Sequence, residues 1–283
     1  GLVGTEGKKM MEARAEGTLL CGDFIGKVME KALKTSEANA CMKRIVAAPT
    51  AGSCGVVPAV FLSLQEEKGY SEEKMVEALF VAAGIGGVIA ERAFLAGAAG
   101  GCQAEIGAAS AMAAAALVYL RGGTPEACGH ACAMTLKNLL GLVCDPVAGL
   151  VEVPCVKRNV VGVVNAISCA NMALAGITSR IPADEVIDAM AEVGAAMSAD
   201  LRETARGGLA ATPTAQKIAK DLAAVSYLKS KCPPKWGFIP FRRTFFIFHS
   251  ILTEQLPSLP FPWFPKPRSL VLLRCLPLHL FVR

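Results

Sequence analysis

Apolar residues recur at three- and four-residue steps through most of the first 224 positions, and nowhere do they alternate with polar ones over a useful strand length. In residues 6–40, Met10, Met11, Leu19, Leu20, Phe24, Val28 and Leu33 fall at helical spacing with charges between them. That predicts one or two amphipathic helices, weakened near the middle by Gly17 and Gly22. A further helix is predicted from about Val57, with Pro58 suited to its first turn. Ser71 is placed to cap a helix over 71–95, although Lys74 stands where a capping box would have Glu or Gln. Residues 104–120 are almost all small and apolar, the pattern of a helix buried on every side. Gly122 and Gly123 close it, and Thr124 with Pro125 opens another that runs to about Leu140. Helical patterns then reach about Ala175, run from Pro182 to near Ala199, and resume briefly after Pro213. The whole predicts an all-α fold: a multi-helix domain over residues 1–224 with a central buried alanine-rich helix and cysteine-bearing loops.

After Ala224 the composition breaks. Both tryptophans, 8 of the 12 phenylalanines and 9 of the 16 prolines lie in residues 225–283. This atypical Pro/aromatic/basic tail is expected to stand outside the fold. It also accounts for the net charge of +5, because residues 1–224 carry 20 Lys and Arg against 23 Asp and Glu. The helical part therefore has no electrostatic footprint for nucleic acid. No apolar run reaches the roughly 18 residues that would suggest a membrane span, Ile106–Leu120 being too short and mostly alanine. The chain starts at Gly1 with no visible signal peptide, as a fragment missing its leading segment would. Eleven cysteines, an odd number with several in apolar runs, fit a reducing cytoplasm better than secretion.

Three of those cysteines differ from the rest in their setting. Cys144 precedes Asp145-Pro146 and Cys155 follows Pro154, so neither sits mid-helix. They end a short irregular loop with Gly149 as its bend. Cys102 follows Gly100-Gly101 in a separate loop. Thiols on glycine- and proline-shaped loops suggest a soft-metal site, and such loops expose backbone amides to cluster sulfurs. Cys128 and Cys132, with His130 between them, share a helix face instead and are expected to be a buried thiol surface. A second loop, Pro49-Thr50-Ala51-Gly52-Ser53-Cys54-Gly55, is dense in N–H donors and small hydroxyls just before a helix start, which suits a carboxylate.

The phrases Ile45–Gly55, Gly101-Cys102-Gln103-Ala104-Glu105-Ile106-Gly107, Gly141–Cys155 and Arg202–Leu209 resemble, in that order, the α subunit of the iron–sulfur-dependent bacterial L-serine dehydratases. The resemblance covers about residues 1–224. It implies an all-helical fold, a [4Fe–4S] cluster on Cys102, Cys144 and Cys155, and a β subunit as partner. The implied reaction dehydrates and deaminates L-serine to pyruvate and ammonia, with an open iron acting on the leaving hydroxyl. Thr50, Gly52, Ser53 and Arg206 are then candidates for gripping the substrate carboxylate. Glu105 and Lys157 are candidates for the Cα base, which the β subunit could supply instead. One departure stands out: Ala96 and Ala99 occupy places where the family pattern has a serine and an acid. A truncated, inactive cluster-binding homologue is the alternative reading.

Overall fold

The structure is a computed structural model and describes residues 2–230. Expectations for the tail beyond residue 230 lie outside the described residues. Ten α-helices are present among them: α1 (Glu6–Ala15), α2 (Gly22–Ala40), α3 (Val56–Lys68), α4 (Glu72–Arg92), α5 (Gly97–Gly100), α6 (Cys102–Leu120), α7 (Pro125–Lys137), α8 (Cys155–Leu174), α9 (Ala183–Ala196) and α10 (Pro213–Ser230). There is no β-strand among the described residues, only one parallel bridge between Cys144 and Arg202.

The alanine-rich helix α6 is the axis of the fold. It packs against α3, α4, α7, α8 and α9, and from Ile106 to Val118 every residue is buried. Ala108, Ala109, Ala111 and Ala113 to Ala116 are wholly shielded. A helix enclosed on all sides needs no polar face, and short side chains let neighbouring helices approach its axis closely. The helix is longer than the sequence pattern suggested. It begins at Cys102 and is long and apolar enough to cross a membrane, but 89% of it is buried inside the protein. That burial is the mark of a core helix.

The sequence signals for helix ends hold. The Ser71 hydroxyl accepts the Lys74 N–H at 3.3 Å, and the Thr124 hydroxyl accepts the Ala127 N–H at 3.2 Å. Each satisfies one of the orphan donors of a helix start. Other boundaries differ. Helices α4, α7 and α9 stop at Arg92, Lys137 and Ala196 rather than near positions 95, 140 and 199. Helix α10 is 18 residues, not a short turn, and runs past position 224 to Ser230. Pro at its first position and good helix formers after it, with Lys217 pairing to Asp221 at 3.1 Å, carry it on.

Candidate metal centre

Two helix starts and one loop converge at one end of α6. Cys102 is the first residue of α6 and Cys155 the first of α8, while Cys144 lies in the loop between α7 and α8. The two helix-start cysteines thus stand at loop–helix junctions, where the helix dipole favours negative charge on sulfur. All three thiols are buried. Gly149, with φ +70, provides the bend expected in the loop.

Backbone geometry fixes where each thiol lies. Gly101 has φ +76, and a side chain there would meet the Leu142 carbonyl at 2.9 Å. Glycine alone allows α6 to begin at Cys102. Cys144 is held on both sides of its peptide: its N–H donates to Leu201 O at 2.8 Å, and its carbonyl accepts from the Glu203 N–H at 2.7 Å. Gly97 leaves the space that the Cys144 sulfur fills, since a methyl built on it would lie 2.8 Å from that sulfur.

The sulfurs of Cys102 and Cys144 and a carboxylate oxygen of Glu105 lie within 4.8 Å of one another. Cys155 is outside that close trio yet within electrostatic reach of Cys102 and Glu105. Hydrogen bonding with Cys144 draws the Cys102 thiol below its ordinary range; burial opposes this and the Arg158 charge assists it. Cys144, the donor of the pair, is pushed upward by the same contact and by burial. Burial takes Cys155 up to about 12. Buried thiols converging in this way, two of them at helix starts, form a donor set that suits a soft metal or an iron–sulfur group.

Glu105 is also raised by burial, against a hydrogen bond from Thr50 and with the nearby Glu203 charge adding to the rise. Its carboxylate lies against the loop before α3. The Thr50 hydroxyl donates to it and lies 3.0 Å from the Ser53 hydroxyl. A side chain on Gly52 would overlap it at 2.6 Å. Two of the expected carboxylate-binding residues, Thr50 and Gly52, therefore lie against a carboxylate, that of Glu105, beside the thiols, with Ser53 reaching it only through Thr50. Ser53 is fully buried.

Two other candidates are not gathered there. The Lys157 ammonium pairs with Glu6 at 2.6 Å on a side chain that is 64% exposed. Arg206 pairs with Asp200 at 3.0 Å and is 62% exposed. Cys128 and Cys132 are buried as expected, and His130 turns away to accept the Ser179 N–H at 3.3 Å.

Sequence reasoning assigned no role to Arg158, Asp145 or Asn159. Arg158 reaches the Cys102 sulfur at 3.3 Å and Asp145 at 2.8 Å. Asn159 ties α8 to the Thr50 loop, donating to Gly52 O at 2.8 Å. A usable signal existed for the first and third: three and four residues after Cys155, both share its helix face, whereas Lys157 at two residues does not.

Residues 1–210 match the family described as "Serine dehydratase alpha chain". The chain is 55% identical over 222 residues to the "Probable L-serine dehydratase, alpha chain" of Bacillus subtilis, covering 78% of this chain and 74% of that one. It is 51% identical to the "L-serine dehydratase, alpha chain" of Peptoniphilus asaccharolyticus, over 76% of this chain and 73% of that one. Against the longer "L-serine dehydratase TdcG" of Escherichia coli it is 44% identical, over 63% of this chain and 40% of that protein.

Proposed function

This chain belongs to the serine dehydratase alpha chain family, and on that premise we propose that it is the α subunit of an iron–sulfur L-serine ammonia-lyase working with a β subunit in the cytoplasm. The observation that carries this reading is the burial of three thiols from distant parts of the chain, two of them within 4.8 Å of the Glu105 carboxylate that the Thr50 hydroxyl meets. Cys102, Cys144 and Cys155 would hold a [4Fe–4S] cluster. When bound, that group supplies an iron that can take the serine hydroxyl and stabilise it as a leaving group.

The remaining work falls to side chains. With the Thr50 hydroxyl engaged by Glu105, the backbone N–H groups of the Thr50, Gly52 and Ser53 loop would meet the substrate carboxylate and hold Cα in one orientation. Arg206, at the surface, would be a second partner for that carboxylate once Asp200 releases it. Of the two base candidates, Glu105 is the one beside the thiols, while Lys157 is engaged with Glu6. Transfer of the Cα proton to Glu105 with departure of the hydroxyl leaves aminoacrylate. Its tautomer, an imine, hydrolyses to pyruvate and ammonia.

Residues 1–224 would form the catalytic unit, with α10 continuing beyond it to Ser230. The alternative, a homologue that binds the cluster without turnover, rests on Ala96 and Ala99. They put only methyl groups around α5, just before Cys102. Anaerobic reconstitution with iron and sulfide, followed by a pyruvate assay on L-serine with and without a β partner, tests both. Visible cluster absorbance with pyruvate formation supports the enzyme. Absorbance without pyruvate, partner present, supports the inactive homologue. A folded chain that gains no absorbance overturns the cluster itself.

A further inference from the structure

The three cysteines come from separate segments, and one guanidinium touches the surroundings of all of them. Arg158 is three residues after Cys155, on the same face of α8. Its Nη1 donates to the Cys102 sulfur at 3.3 Å and to the Val143 carbonyl, next to Cys144, at 2.8 Å. Its Nη2 donates to Asp145 Oδ1 at 2.8 Å. Asp145 is buried, and its other oxygen accepts the Leu209 N–H at 2.8 Å. The guanidinium is thus half of a partly buried ion pair whose acid is fixed to the segment after α9. Both Asp145 oxygens are engaged and three guanidinium N–H groups have acceptors, which offsets the cost of taking the pair out of water.

We propose that Arg158 is the positioning residue of the metal centre: it fixes the Cys102 sulfur relative to the Cys144 loop and donates a charged hydrogen bond to that sulfur when iron is bound. This rests on the cluster reading above but concerns a residue outside the ligand set. A planar fork is required, because three acceptors lie in different directions from one head group. Lysine brings the charge without the fork, and glutamine brings neither. A hydrogen bond from a cation to a ligand sulfur also stabilises the reduced, more negative cluster, so its loss lowers the reduction potential.

The test compares the parent chain with Arg158→Lys and Arg158→Gln after anaerobic reconstitution. Helical content and melting are read first, then iron per chain, the rate of iron loss to a chelator, and the midpoint potential. We expect both variants to lose iron faster, by about 10- to 100-fold, the usual scale for groups that orient metal ligands. Arg158→Gln should also show a lower midpoint potential than the parent. A merely structural arginine would alter melting and leave the potential of the loaded fraction where it was, which would overturn the proposal. So would parental iron retention in Arg158→Lys, which decides the matter if the glutamine variant fails to fold. A parent chain that takes up no iron removes the cluster reading and this proposal with it, whereas a loaded parent with indifferent variants removes only this one.

Discussion

Asn159 Oδ1 accepts the backbone N–H of Gly55 at 3.0 Å, across 104 residues of sequence. The same amide donates to Gly52 O at 2.8 Å and Cys155 O at 3.0 Å. One side chain, 1% exposed, therefore fastens the Thr50 loop to the helix start that bears Cys155. Asn159→Ala would strand the Gly55 N–H and the Gly52 carbonyl, at about 1–3 kcal/mol for each group left unsatisfied, while Cys155 O keeps its place in the helix. We expect a loss of about 3 kcal/mol in urea unfolding. Asn159→Asp should be comparably harmful, since it removes both donors and adds a buried charge.

Gly97→Ala tests the space beside Cys144. The added methyl would lie 2.8 Å from that sulfur and 3.5 Å from Glu105 Oε2. The Gly97 φ is in a region any residue adopts, so the effect is steric and local. Iron uptake after reconstitution should fall several-fold while stability changes by only about 1–2 kcal/mol, as a single overpacked contact usually costs. Parental iron content in this variant would contradict the assigned geometry.

Thr50→Val keeps the shape of the loop and deletes the hydroxyl that donates to Glu105. A hydrogen bond to a charged group contributes about 1.5–3 kcal/mol. If Glu105 takes the Cα proton, kcat/KM for L-serine should fall by about tenfold or more with iron content unchanged. Steady-state kinetics beside an iron assay separate this from loss of the metal.

Glu30 governs an acid-dependent part of the stability. Its carboxylate is buried and accepts from Arg14 at 3.1 Å and from Lys34. Burial is the largest single influence and pushes its pKa up, but the bonds from Lys34 and Arg14 together outweigh it and hold the value below the ordinary glutamate range. The unfolded chain therefore binds its proton first as pH falls. This contribution is complete above the unfolded glutamate value of about 4.3 and is lost as pH drops through the lower folded one. Glu30→Gln should be less stable than the parent at pH 7, and the gap should narrow on going to pH 3. Urea midpoints at the two pH values check it; a constant gap would count against the assignment.

The helices were legible because their signals are local. Ser71, Thr124 and Pro125 act on atoms three residues away, and the alanine run of α6 announces burial by composition alone. The loop cysteines were legible for the same reason, each being flagged by adjacent glycine or proline. Cys144 was harder to place, because its peptide is held by Leu201 and Glu203, partners nearly sixty positions on that carry no mark of the pairing. Lys157 and Arg158 show the limit most clearly. They are neighbours with equal charge, and a turn of about 100° per residue sends one to Glu6 at the surface and the other to the thiols. Counting from Cys155 by helical steps would have separated them; proximity in sequence could not. Glu105 was recognised as a candidate, but its embrace by Thr50 and Gly52 depends on how α6 meets the loop before α3.

The bridge between Cys144 and residues 201–203 sets an order of events during synthesis. A ribosome that has delivered residue 155 has already supplied every sulfur of the trio. It has not yet supplied Leu201 and Glu203, which grip the middle cysteine, or Leu209, which anchors the acid paired with Arg158. Iron delivered to the nascent chain at that stage meets three thiols without a frame. On the proposed reading, the three thiols gain their frame only after about fifty further residues have emerged and folded back, and loading of the cluster would follow folding of the helical body.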